Sequence, residues 1–132
     1  MNVKNQLEYY ESKLNYETDP SDLFSALSEG RDVVVIDARQ PHAYANEHIP
    51  TAINIPHRTM SEESTAMLDR TKLYVCYCDG IGCNASTKGA LNLLRLGFQV
   101  KELIGGIEWW KKDGYATEGE HGQPGEAVSC GC

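Results

Sequence analysis

Two short runs of β-branched and aromatic residues limit what this chain can become. Residues 33–37 read Val-Val-Val-Ile-Asp, and residues 72–78 read Lys-Leu-Tyr-Val-Cys-Tyr-Cys. Neither alternates apolar with polar, so neither suits a sheet with one face in water. Such runs belong to strands covered on both faces, the usual state of a parallel sheet. Helical patterns fill the intervals. Asp19-Pro20-Ser21-Asp22 reads as a helix start, with Asp19 as cap and Pro20 at the first helical position, and Gly30 stops the helix after Ser28. Pro41 opens a short helix over 41–47, and Ser61 opens another through about Leu68. A longer helix over 84–96 places Ala90, Leu91 and Leu94 on one face and ends at Gly97. Shorter strands are expected at 51–55, stopped by Pro56, and at 100–104. Gly105-Gly106 then turns the chain into a short helix bearing Trp109 and Trp110. Leu7, Tyr10 and Leu14 have the spacing of one face of an amphipathic helix over 4–14. Alternating strands and helices predict the α/β class, with a largely parallel central sheet flanked by helices.

The length of 132 residues suits one domain, expected over 1–116. Residues 117–132 carry Gly119, Gly122, Gly125 and Gly131 and almost nothing apolar, so a flexible tail is expected there. The net charge of −7 argues against nucleic acid and anionic lipid as partners. No apolar run approaches the ~18–20 residues of a membrane span. The first residues lack the apolar core of a signal peptide. A cytoplasmic location is therefore expected, with the five cysteines, at 76, 78, 83, 130 and 132, mostly reduced. No cofactor is expected and no metal. The histidines at 42, 48, 57 and 121 show no ligand spacing, and Cys76, Cys78 and Cys83 converge poorly for a tetrahedral site.

Ligands of such sheets bind beyond the carboxyl ends of the strands. Two features fall there, Asp37-Ala38-Arg39 and the segment from Cys78. In Cys78-Asp79-Gly80-Ile81-Gly82-Cys83-Asn84-Ala85-Ser86 a thiol ends a buried strand, glycines let the backbone curl, and a helix begins at once. Successive amides in such a curl converge on one point and form an anion nest, to which the helix adds its positive end. A cysteine facing that nest has its pKa drawn from ~8.5 toward ~3.5–7.5 and becomes a nucleophilic thiolate. The plainer reading makes Cys78 a small core residue. Asp37 and Arg39 read first as an ion pair fixing the sheet end. Tyr74 and Tyr77 read as core, His48 as packed in its own turn, and the two tryptophans as cover for the sheet. Cys130-Gly131-Cys132 offers two thiols that either relay sulfur, resolve a disulfide or serve no role.

These motifs together resemble the rhodanese-homology family. Asp37-Ala38-Arg39, Glu47-His48-Ile49-Pro50 and Ala52-Ile53-Asn54-Ile55-Pro56 are similar to its first signature region. Val75-Cys76-Tyr77-Cys78 with the glycine loop and Ser86 is similar to its active-site loop, and Gly105-Gly106-Ile107 with Trp110 to its closing element. The resemblance spans residues 16–115 and implies a three-layer α/β/α sulfurtransferase. In such a protein a cysteine takes up sulfane sulfur as a persulfide and passes it to a thiol or cyanide. It implies as partners a small sulfur donor or a persulfide-bearing protein, and a thiol acceptor such as glutathione or thioredoxin. Cys78 takes the nucleophile's place because it ends the strand, and Cys83 competes for it. Residues 79–86 become the substrate-binding loop, supported by Asp37 and Arg39. The loop departs from the common pattern. It is two residues longer, it adds Cys83 in a Cys-x-Gly-x-x-Cys arrangement, and Ala85 stands where the family usually has arginine. The missing arginine, with Asp79 beside the thiol, argues against free thiosulfate as preferred donor. Two other functions compete with sulfur transfer. One is a non-catalytic binding or redox-sensing module with a reversible Cys78–Cys83 disulfide. The other is an arsenate reductase or phosphatase, although residues 78–94 hold no arginine to bracket an oxyanion.

Overall fold

A computed structural model describes residues 2–126. Five parallel strands form one sheet in the order β1-β5-β4-β2-β3. They are β1 (Glu17–Thr18), β2 (Val33–Asp37), β3 (Ile53–Asn54), β4 (Leu73–Tyr77) and β5 (Gln99–Leu103). The helices are α1 (Val3–Tyr16), α2 (Pro20–Ser28), α3 (Pro41–Asn46), α4 (Ala85–Arg95) and α5 (Gly106–Lys112). The central pair is set residue by residue: Val33 lies beside Leu73, and Asp37 beside Tyr77. The strand period of two sorts β4 onto both faces. Val75 and Tyr77 join Leu23, Ile49, Leu103 and Trp110 in one core, while Tyr74 and Cys76 join Ile36, Leu93, Phe98 and Val100 in the other. That double burial is why β2 and β4 read as unbroken apolar runs.

Several local signals act as expected. The Asp19 carboxylate accepts from the Asp22 amide at 2.8 Å, Pro20 lies in the first turn, and Gly30 leaves the helix at φ 70°. His48 stacks on Tyr44 and its Nδ1 lies 2.7 Å from the Tyr44 carbonyl oxygen. Tyr74, Tyr77 and Trp110 are buried, whereas Trp109 is exposed on one side.

Other expectations are corrected. Residues 61–68 form turns and no helix. The Ser61 amide donates to Ser64 Oγ, the Ser64 amide to Ser61 Oγ, and Thr65 Oγ1 to the Ser61 carbonyl. Hydroxyls thus take over backbone partners that a helix would use. The strand expected over 51–55 shrinks to Ile53–Asn54, because Thr51 sits at φ 72° in a turn closed by Ala52 N–H to the Ile49 carbonyl. The buried side of α4 is Ser86, Gly89 and Leu93, while Leu91 and Leu94 face outward. A Cβ on Gly89 would stand 2.8 Å from Cys76 Sγ, so the missing side chain sets how closely α4 rides on β4. α1 buries none of its residues, and Leu7, Tyr10 and Leu14 are all exposed.

The expectation for residues 117–126 also changes. In place of a flexible segment from 117, residues 117–126 lie along the body. Glu118 and His48 exchange backbone hydrogen bonds at 2.8 and 2.9 Å, and the amides of Glu120 and His121 donate to the carbonyls of Ala45 and Asn46. Thr117 is buried and donates to Glu47. The Gly-rich composition here serves close backbone approach: a Cβ on Gly119, at φ 114°, would meet the Asn46 and Ala45 carbonyl oxygens. The relay expected of Cys130 and Cys132 lies outside the described residues.

Candidate functional site

The carboxyl edge of β2 and β4 carries a buried polar cluster. Asp37 has no exposed surface. Its Oδ1 accepts from the Arg39 amide at 2.9 Å and from Arg39 Nε at 3.0 Å, and its Oδ2 from an Arg39 terminal nitrogen and Tyr77 Oη, both at 2.7 Å. Tyr77 Oη in turn accepts from the Ile49 amide, and Arg39 also donates to the Glu47 carbonyl. Burial pushes the Tyr77 hydroxyl well above its ordinary pKa, and the Asp37 charge adds to it, so Tyr77 is a fixed donor. The cluster locks the ends of two strands together.

Cys78 follows Tyr77 directly and is 1% exposed. Its carbonyl accepts from the Ile107 amide at 3.0 Å, and the Asp79 carbonyl from the Glu108 amide at 2.9 Å. The loop is thus held to the start of α5. Gly106, at φ 58°, makes this possible, since any Cβ there would collide with the Cys78 carbonyl oxygen. From Cys78 the chain curls through Gly80 and Gly82 into α4. Cys83 N–H donates to the Gly80 carbonyl at 3.1 Å. The amides of Gly80, Ile81, Gly82, Asn84, Ala85, Ser86 and Thr87 have no acceptor among the described residues, and no side chain caps α4. Three of these donors lie in the loop and four at the start of α4, where a helix N-terminus favours negative charge.

Cys83 returns to Cys78. The two are joined as a disulfide across a Cα separation of 6.5 Å, within the ordinary span for such a bond. Cys83 is half-buried. It lines two small clefts, one on each side of the loop, of about 220 and 210 Å³, and Cys78 lines neither. The first cleft is acidic, with Glu17 and Glu102. The second holds Arg39, His42, His57, Asp79 and Ala85. Arg39 is not a free cation in it: beyond Asp37, it pairs with the largely exposed Asp79 at 3.1 Å. Ala85 puts no charge into either cleft.

Glu102 has no counterpart in the sequence reasoning. It lies beside Cys76 in the β4–β5 register, and its Oε2 accepts from Ser86 Oγ and Thr87 Oγ1, both at 3.0 Å. It thereby ties the first turn of α4 to β5. The only local signal is an acidic residue in a strand that also holds Gln99 and Lys101. Cys76 stands apart from the loop thiols. It is fully buried, and burial first, then the Glu102 and Asp37 charges, push its pKa far above the ordinary thiol value. It is an inert core residue.

A parallel sheet with a cysteine loop opening an α-helix at its carboxyl edge defines an α/β domain with a thiol at its ligand-binding edge. Residues 20–113 match the family described as Rhodanese-like domain. A thiosulfate sulfurtransferase GlpE of Pseudomonas fluorescens is 34% identical over 107 residues, covering 80% of this chain and 93% of that protein. A protein of the same name from Coxiella burnetii is 37% identical over 87 residues, covering 64% and 78%. Among solved structures, the BH2092 protein of Bacillus halodurans superposes with a TM-score of 0.87 at 40% identity, over 98% of this chain and 96% of that one. The chain belongs to the rhodanese-like family, and it is a sulfurtransferase of that family. No helix among the described residues is long and apolar enough to cross a membrane.

Proposed function

We propose that the chain carries sulfane sulfur on Cys78 and passes it to a thiol. With the Cys78–Cys83 bond reduced, the Cys78 thiolate attacks the outer sulfur of a donor persulfide. A Cys78 Sγ–S bond forms, the donor's S–S bond breaks, and its electron pair leaves with the donor thiolate. An acceptor thiolate then attacks the outer sulfur, takes it as a persulfide and frees Cys78. The observation that carries this reading is the set of unclaimed amides in the loop after Cys78 and at the start of α4, because the outer sulfur holds negative charge in both steps.

The donor follows from charge. The relatives are named for thiosulfate, but here Ala85 replaces the arginine of the common pattern, Arg39 is occupied by Asp37 and Asp79, and Glu102 closes the other side of the loop. A dianion meets no free side-chain cation from the loop itself, so a polysulfide or an alkyl persulfide suits the site better than thiosulfate. Steady-state transfer to glutathione from each donor separately, with Cys78→Ser as control, tests this. Transfer from a persulfide donor that vanishes in Cys78→Ser is expected; equal transfer by Cys78→Ser overturns it.

A further inference from the structure

The Cys78–Cys83 pair has a polarity that sulfur transfer to an external acceptor does not use. In the joined pair Cys78 lies beneath the loop and out of solvent, whereas Cys83 lines the clefts on both sides. The two sulfurs come into bonding contact while the loop stays anchored by the Cys78 and Asp79 carbonyls to α5 and by Ser86 and Thr87 to Glu102. Neither anchor lies within the Gly80–Gly82 curl, so the bond forms without breaking the site.

Resting on the Cys78 persulfide reading above, we propose that Cys83 resolves that persulfide internally, releasing its outer sulfur as sulfide and leaving the loop disulfide. The Cys83 thiolate attacks Cys78 Sγ. The Cys78–Cys83 bond forms, and the bond from Cys78 Sγ to the outer sulfur breaks. The electron pair goes to the outer sulfur, which takes one proton from water and departs as hydrosulfide. The Cys83 sulfur is oxidised and the sulfane sulfur reduced, so no outside oxidant enters.

Three features favour this route. Cys83 meets the inner sulfur directly, which is the atom that must be attacked for sulfide to leave. The loop that follows Cys78 carries unclaimed amides available to the leaving anion. The disulfide product then has one accessible sulfur, Cys83. A dithiol reductant attacking Cys83 expels Cys78 into the nest, where a stabilised thiolate is the better leaving group. The cycle therefore converts sulfane sulfur and a dithiol into sulfide and a disulfide, with Cys83 as the point of entry for reducing power.

The test uses the full chain, reduced, freed of reductant and treated with one equivalent of glutathione persulfide without added acceptor. Released sulfide and intact mass are followed together. The wild type is expected to end two hydrogens lighter, with sulfide and disulfide formed in equal amounts. Cys83→Ser and Cys83→Ala are expected to keep the extra sulfur on Cys78. Wild type that holds the extra sulfur as long as these variants do overturns the proposal and leaves the Cys78 carrier intact. Disulfide formed without matching sulfide overturns it as well, and that ratio needs no variant. If no form gains sulfur from any donor, the carrier reading itself fails, and this proposal with it.

Discussion

Asp37 touches no water, yet three donors of Arg39 and the Tyr77 hydroxyl reach its two oxygens. The arrangement is strong only while complete. Removing one partner of a buried pair leaves a charge without compensation, which costs ~3–5 kcal/mol. Arg39→Ala is therefore expected to lower unfolding free energy by about that amount in urea titration. Tyr77→Phe removes one neutral donor and leaves the Ile49 amide unmet, for a smaller loss of ~1–3 kcal/mol. If both variants lost the same small amount, the cluster would not be the lock at the sheet edge. A second residue-scale expectation concerns Ala85. A charge-assisted contact to an anion is worth ~1.5–3 kcal/mol, or about one to two decades in binding. Ala85→Arg is expected to lower KM for thiosulfate by that factor and to leave persulfide donors less affected. Efficient thiosulfate turnover by the unmodified chain would contradict the charge argument.

Glu47 links α3 to the segment after α5, and here pH becomes a probe of an element. Burial works to raise its pKa, but the hydrogen bonds from Lys111 and Thr117 overcome this and hold it below the ordinary 4.5. Its folded pKa is thus depressed relative to the unfolded chain. The stability it contributes is present above 4.5 and fades as pH falls through the lower folded value. Glu47→Gln is expected to flatten that acid limb in thermal scans between neutral and acid pH. The limb should keep its full slope if the pairing with Lys111 is weak. Truncation after Ala116 is expected to destabilise the fold by ~1–3 kcal/mol, because it strips Glu47 of the Thr117 hydroxyl and α3 of its carbonyl partners. Unchanged thermal unfolding of the truncated chain would show that these contacts contribute nothing.

The same elements show what was legible. β2 and β4 were readable because burial on both faces writes itself as an unbroken apolar run, and α2 because Asp19, Pro20 and Gly30 mark both its ends. β1 has two residues and owes its strand geometry to Glu17 and Thr18 pairing with β5, which no local pattern encodes. Ser61 reads as a helix start for 61–68, but the hydroxyls of this segment satisfy the backbone first. The order of residues 117–126 is hidden in the sequence because it is built from backbone pairing and one buried threonine rather than from apolar content. At the site, the glycine loop around Cys78 was visible as local chemistry. Glu102 was not, since its role depends on a strand register that brings it under α4.

For the molecule as a whole, three cysteines of the described residues stand at graded depth. Cys76 is sealed between β4 and α4, Cys78 lies at the edge beneath the curl, and Cys83 meets the solvent. The parallel sheet sets this gradient by ending β4 between them. The most direct measurement is peptide mapping by mass spectrometry of the reduced full chain after brief exposure to an alkyl persulfide donor, quenched before resolution. The account predicts one added sulfur on the peptide that carries Cys78, located there by fragmentation, and none on Cys76. An unmodified Cys78, with the added sulfur on another cysteine or on none, would contradict it.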